Sequence, residues 1–242
     1  MDRWGERMTI SEIFLGKQRY MYLVKGLRFS LGVTALSAVI GLFIGVIVSL
    51  FRISQFQPFS FITNPRLKKL STFNPLAFIA KIYVTIIRGT PALVQLLLMY
   101  YVVFGSVAAP KIIIAGIAFG INSGAYIAEI IRAGIEGLDK GQTEAARSLG
   151  MPYGMTMYYI IIPQAVKKIL PALVSEFIIL LKETSIVGWI GASDLMRGAD
   201  NIRAQTFRAF EPLIAVALIY LLLTSVFTYF MGIVERKMKL SD

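Results

Sequence analysis

A scatter of polar side chains interrupts otherwise apolar stretches of this sequence: Gln95, Asn122, Ser123, Tyr126, Glu129, Glu176, Glu183, Thr184 and Ser185. An ionisable group at membrane depth is costly, so each carboxylate among them must face protein or water. Glu129, Glu176 and Glu183 stand against Lys182, a net acidic set that favours a cationic group over an anionic one. Plainer roles exist for every one of them. Gln95, Asn122 and Ser123 could bridge helices, and Glu129 or Glu176 could pair with Arg132 or Lys182. Covalent chemistry is poorly supplied. With no His and no Cys, the chain lacks thiolate nucleophiles, imidazole bases and Cys/His metal sites. No Ser–Lys or paired Asp arrangement across the apolar segments replaces them, which argues against a membrane enzyme. The phosphate-cradling pattern G-x-x-x-x-G-K-[ST] is absent as well.

The elements that must position these residues are membrane helices. Over 242 residues, 56% hydrophobic content and a mean hydropathy of +0.68 are too apolar for an ordinary soluble domain. The +11 formal charge reads as basic loops facing anionic lipid and cytoplasm, and nucleic acid is not an expected partner. Crossing about 30 Å of hydrocarbon takes roughly 20 apolar residues. That length predicts spans at about 29–51, 91–109, 112–133 and 212–234. A further element at 164–191 would measure about 42 Å as one straight helix. The Lys182-Glu183-Thr184-Ser185 stretch predicts that it is broken there, and broken membrane helices put backbone groups near the midplane where a solute can bind.

Residues 1–28 are charged and mixed rather than a basic tip followed by an apolar run, so they read as an amphipathic, interfacial lead-in and not a cleavable signal. Lys and Arg are in modest excess in 52–88, in 132–168 and in the tail 235–242. This bias puts those segments in the cytoplasm and, with five spans, the N-terminus outside. Gly41 and Gly45, and Gly116, Gly120 and Gly124, repeat every four residues, a spacing that lets two helices approach closely in lipid. The polar stretch 192–211 is either a docking surface or a solvated loop.

The segment 134–163 contains a short helical piece, Gln142 to Leu149, fenced by Gly141, Gly150 and Pro152. It is too short to be stable alone. It suits either an ordinary loop or insertion into a groove on another protein. Here a family pattern emerges. Glu144-Ala145-Ala146, three residues, Gly150, nine residues, Ile160, any residue, Ile162 and Pro163 resembles the EAA loop of ABC importer membrane subunits, with Ile162 where that pattern has Leu. Arg88-Gly89-Thr90-Pro91, Asn122-Ser123-Gly124-Ala125-Tyr126 and Lys182-Glu183-Thr184-Ser185 further resemble the branch that imports polar amino acids.

The resemblance covers residues 20 to 240. It implies an all-α membrane protein, a five-helix type I ABC importer permease core with a cytoplasmic EAA coupling loop. Gln142, Glu144, Ala145, Ala146, Arg147, Gly150 and Pro163 would then couple to the ATPase. The chain would work with a second permease copy or paralogue on two ATPase subunits, which bind ATP and Mg2+, and would receive solute from an extracytoplasmic binding protein. It would carry no cofactor or metal of its own. The implied setting is a bacterial inner membrane, with the N-terminus outside and the C-terminus cytoplasmic. Its substrate would be a polar amino acid, basic ones such as arginine being favoured by the acidic interior. A self-sufficient secondary transporter or channel is the competing expectation, although five spans do not divide into equal halves.

Overall fold

The computed structural model describes residues 9–54, 56–61, 64 and 68–239, and all regular structure among them is helical. Residues 1–8 of the expected lead-in and 240–242 of the expected tail lie outside the described residues. Helix α1 (Ile10–Leu15) opens with a capping box, in which the Thr9 backbone N–H donates to Glu12 Oε2 at 2.7 Å and the Glu12 N–H donates back to Thr9 Oγ1. The Thr9 N–H and hydroxyl together hold the Glu12 carboxyl below the usual carboxylate range. Lys17 and Gln18 then turn the chain with φ of 51° and 53°. Buried Arg19 fastens this turn by donating to the Glu12 and Ile13 carbonyls and to Gln205 Oε1.

Helix α2 (Tyr20–Ile53) starts at Tyr20, so residues 20–28 are continuous with the first span instead of belonging to a separate lead-in. Lys25 and Arg28 obscured this in the sequence. Both occupy exposed positions, where long side chains can reach a polar boundary without breaking the helix. The next departure is larger. Residues 52–88 were expected as a loop, but α3 (Pro75–Arg88) is a 14-residue helix, with Pro75 in its first turn and Asn74 Oδ1 capping it by accepting from the Ala77 N–H at 3.0 Å. Lys81 interrupts an otherwise apolar run and hid it. A bend of 103° at Gly89–Pro91 leads into α4 (Ala92–Leu98), which continues as a π-helical turn over Met99–Val103. Helix therefore ends at Val103, short of the expected 109. The intervening residues are uncharged, but Gly105 and Pro110 disfavour helix there.

Helix α5 (Lys111–Glu136) is the central helix and is largely buried. A more polar excursion follows: α6 (Lys140–Ser148), a turn at Tyr153–Thr156 and a second π-helical turn at Met157–Ile161. Helix α7 (Ile162–Glu183) has Pro163 in its first turn. That proline explains the π turn before it, because its ring would clash with the carbonyl four residues back in a regular helix. At Thr184 the helix does not unwind. It tightens into a 3₁₀ segment, Thr184–Ile190, ended by Gly191 at φ 70°, and Thr184 Oγ1 donates to the Leu181 carbonyl at 2.7 Å. The break expected at 182–185 is thus a change of helical pitch. Helices α8 (Leu195–Thr206) and α9 (Phe210–Lys239) complete the chain.

Among the described residues, α2, α5 and α9 are long and apolar enough to cross a membrane alone, and the pair α3–α4, bent by 103°, is apolar enough only when taken together, as a broken span or a re-entrant loop. Helix α7 carries Lys167, Lys168, Glu176, Lys182 and Glu183, so apolarity alone does not identify it. The α2–α5 seam sets the fold. A Cβ on Gly45 would come within 2.4 Å of Ile127, one on Gly120 within 2.6 Å of Ile40, and one on Gly41 within 3.3 Å of the Gly120 carbonyl. Small residues at four-residue spacing thus bring the two backbones together. Val33, Leu96, Phe119, Leu180, Val187 and Ile190 knit α2, α4, α5 and α7 into one core. Ile13, Leu23, Leu195, Ile202 and Val216 form another beneath α8.

Candidate functional site

Helix α6 is built by its caps. Asp139 Oδ1 accepts from the Gly141 N–H at 2.9 Å and starts α6. At the other end the Leu149, Gly150 and Met151 N–H groups donate back to the carbonyls of Ala145, Arg147 and Ala146. Gly150 holds this ending at φ 83°, and a Cβ there would meet nothing within 4 Å, so the requirement is backbone conformation and not space. Ala146 is buried against the body while Gln142, Glu144, Ala145 and Arg147 face outward. Leu149 is 84% exposed, an apolar side chain held at the tip. Pro163 lies on the surface where α7 begins. The result is a short capped helix whose Glu144–Ala145 face makes little contact with its own chain.

Inside the helical body the polar residues separate into groups. Gln95 and Asn122 stabilise the bend: Gln95 Nε2 donates to the Ile87 carbonyl at 2.8 Å and to Thr90 Oγ1 at 2.7 Å, while its Oε1 accepts from Asn122 Nδ2 at 2.9 Å. Glu129 joins a cluster of ion pairs with Arg132 and with Arg52, the latter at 3.4 Å, and Arg132 also pairs with Glu136. Ser185 lies apart, in a cavity it lines together with Gly188, Trp189, Asp194, Arg197 and Asp200.

A third group has a different character. Ser123 Oγ donates to Glu176 Oε1 at 2.8 Å across the α5–α7 contact, and Glu183 is close enough to Glu176 to feel its charge. Arg88, at the end of α3, stands with its guanidinium 5.2 Å from the Tyr126 ring centroid and within electrostatic reach of Glu176. Arg88 is itself exposed. Ser123, Tyr126, Glu176, Glu183 and Arg88 therefore bring two carboxylates, a hydroxyl, a phenol ring and a guanidinium into one region. Such a set can hold both ends of a zwitterion. The net acidic interior expected from three carboxylates against Lys182 needs correction, because Glu129 is neutralised by Arg52 and Arg132 and because Arg88 joins the remaining pair. Arg88 was visible in the sequence as the charge ending an apolar stretch before Gly89-Thr90-Pro91. It would have been found had 75–88 been read as a helix interrupted by Lys81.

Comparison with known proteins decides the family. Residues 58–240 match the family described as "Binding-protein-dependent transport system inner membrane component". The chain belongs to this family. Among similar proteins is the arginine transport system permease protein ArtQ of Bacillus subtilis (strain 168), 40% identical over 229 residues, 91% of this chain and 94% of that one. The glutamine transport system permease protein GlnP of Escherichia coli (strain K12) is 33% identical over 221 residues, 90% of this chain and 93% of the relative. A solved amino acid ABC transporter "with histidines" superposes with a TM-score of 0.79 at 43% identity, covering 93% of this chain and 98% of that chain. A methionine transporter, MetNI, shares the fold at 17% identity, with a TM-score of 0.69. The chain is a membrane-spanning permease component of a binding-protein-dependent ABC importer, not an enzyme, and ATP hydrolysis belongs to a separate subunit.

Proposed function

We propose that this permease carries polar amino acids inward, basic ones such as arginine among them, through the region bounded by Arg88, Ser123, Tyr126, Glu176 and Glu183. The observation that carries the reading is that the Arg88 guanidinium, stacked on Tyr126, lies within electrostatic reach of Glu176, which in turn reaches Glu183. A guanidinium meets the α-carboxylate that all amino acids share, and the carboxylates meet the ammonium or a cationic side chain. The relatives named for arginine and glutamine transport support the substrate class. Gln95, Asn122, Glu129 and Thr184 shape the pathway without touching solute, and Ser185 lies at its outer end. Glu144, Ala145 and the Gly150-capped end of α6 seat in the ATPase, with Gln142, Arg147 and Pro163 flanking the contact. The C-terminus is cytoplasmic and the N-terminus outside. Two permeases, identical or paralogous, stand on two ATPase subunits that bind ATP and Mg2+. The binding protein docks on the outer surface that includes α8. The lipid-facing or permease-facing side is α9, whose Leu218, Leu221, Leu222 and Tyr229 are exposed in the single chain.

Reconstitution tests this. With the ATPase and binding protein in liposomes, labelled arginine is expected to accumulate on ATP addition, and the permease alone is expected to accumulate nothing under any imposed ion gradient. Alternating access moves solute uphill only when an outside free-energy source biases its two states. Uphill uptake by the lone chain under a proton or sodium gradient would overturn the importer reading.

A further inference from the structure

Helix α8 is fastened to α2 by close backbone contact. A Cβ on Gly26 would come within 2.4 Å of the Asp194 carbonyl oxygen, and one on Gly198 within 2.7 Å of the Tyr22 carbonyl oxygen. The Leu195 N–H donates to Ser30 Oγ at 3.2 Å, which ties the first turn of α8 to the span beneath it. At this junction lies Asp194, the N-cap of α8, with no exposed surface. Its Oδ1 accepts from the Arg197 N–H at 2.8 Å, while its Oδ2 is buried with no hydrogen-bond partner. The Tyr220 hydroxyl of α9 is likewise buried without a partner, and it lies near Ser30 and Thr184 and within electrostatic reach of Asp194. A buried carboxylate with an orphaned oxygen is a strained arrangement for an anion. A neutral acid carries no charge out of water, so burial there costs it far less.

We propose that Asp194 is a proton-binding site that fastens α8 onto α2, so that taking up a proton favours the closed seating of α8 and losing it favours release. The surrounding groups agree. Burial pushes the Asp194 carboxyl up to about 6; the N–H groups of Arg197, of Asp194 itself and of Gly188 oppose this, and the charge of Asp200 on α8 adds to it. On the α2 side Ser30 and Gly26 contact the Asp194–Leu195 backbone, and from α9 the titratable group within electrostatic reach of the carboxyl is Tyr220. Lys111 of α5 donates its Nζ to the nearby Gly191 carbonyl. The sign follows from linkage. The closed seating holds the proton up to about pH 6, whereas a released, solvated Asp194 returns towards 3.8. Closed seating is therefore favoured as pH falls through 6, and from pH 7.5 to pH 5 the closed-to-released ratio rises about tenfold. The inference goes beyond the transport reading and requires neither substrate nor a particular orientation.

The chain has no cysteine, which permits a direct test on the purified transporter in detergent, with both faces open to reagent. Ala199→Cys places a thiol at a buried position of α8 and Ala204→Cys at an exposed one. The ratio of their thiol-labelling rates at each pH cancels the intrinsic pH dependence of the reagent and reports release of α8. That ratio is expected to rise about tenfold from pH 5 to pH 7.5 and to become flat in an Asp194→Asn background. A ratio independent of pH in the wild-type background, or one unchanged by Asp194→Asn, would overturn the proposal.

Discussion

The coupling segment and the interior cluster make opposite demands on sequence. Helix α6 presents Glu144 and Ala145 outward, anchors itself with Ala146 and ends on a left-handed Gly150. Every one of these features is local, so a motif within a few residues records it. The interior cluster is assembled from α3, α5 and α7, with Arg88, Ser123, Tyr126 and Glu176 drawn from distant parts of the chain. No spacing rule links them. A docking face of the kind proposed for α6 can be written in one stretch of chain, whereas the solute pathway proposed for the interior has to be built by packing.

The sharpest way to break this comparison is at α6. Glu144→Lys reverses an exposed charge whose side chain is not needed to hold the fold, so its effect on folding is expected to stay within about 0.5 kcal/mol. ATP-driven uptake is nevertheless expected to be lost, because a reversed charge at a docking face opposes the wrong sign on the partner. Gly150→Asp forces a side chain into a left-handed conformation costing roughly 1–2 kcal/mol and should distort the same face. Membrane insertion measured by fractionation is expected to be normal in both variants. Unchanged ATPase co-purification and unchanged uptake would remove the coupling role from α6.

How far the fold could be read follows the same division. Uncharged stretches mark α2 and α9, a mostly apolar one carrying Glu129 marks α5, and the four-residue glycine spacing marks the α2–α5 seam. Helix α3 stayed hidden because Lys81 sits in its middle, and α4 was drawn too long because freedom from charge says nothing about helix-breaking Gly105 and Pro110. Gln95 and Glu129 were legible as polar residues in apolar segments. The pairing of Glu129 with Arg132 three residues on was legible too, but the partners across the bundle, Asn122 for Gln95 and Arg52 for Glu129, are recorded by no local pattern.

A smaller effect is expected in the interior. Glu176→Gln keeps the size of the side chain and an acceptor for Ser123 but removes the charge that would meet an ammonium or guanidinium. A charge-assisted hydrogen bond is worth about 1.5–3 kcal/mol, so arginine affinity for the solubilised complex is expected to fall roughly ten- to a hundredfold. Isothermal titration with arginine and with a neutral amino acid measures this. Equal loss for both would mean that Glu176 only holds Ser123 and α5 in place. Arg88→Lys preserves charge but loses the planar fork and most of the stacking on Tyr126, a change of about 0.5–1 kcal/mol that corresponds to a two- to fivefold weaker affinity for every amino acid tried. An effect confined to basic substrates would contradict a role in meeting the common carboxylate.

The smallest expected effect on affinity belongs to Glu129, which separates the pathway from its framework. Glu129→Gln leaves Arg52 and Arg132 without their shared partner, and Arg132 still has Glu136. All these side chains are partly exposed, so the network is expected to contribute on the order of 1 kcal/mol rather than the several kcal/mol of a fully buried pair. For a chain of this size that corresponds to a melting temperature lower by about 2–4 °C. Substrate affinity is expected to stay within twofold of the unaltered protein, for basic and neutral amino acids alike. Thermal unfolding and substrate titration on the same preparation separate the two effects. A tenfold loss for arginine with no change in melting temperature would move Glu129 into the solute pathway, and the division between a framework of paired charges and a cluster open to solute would fail at that residue.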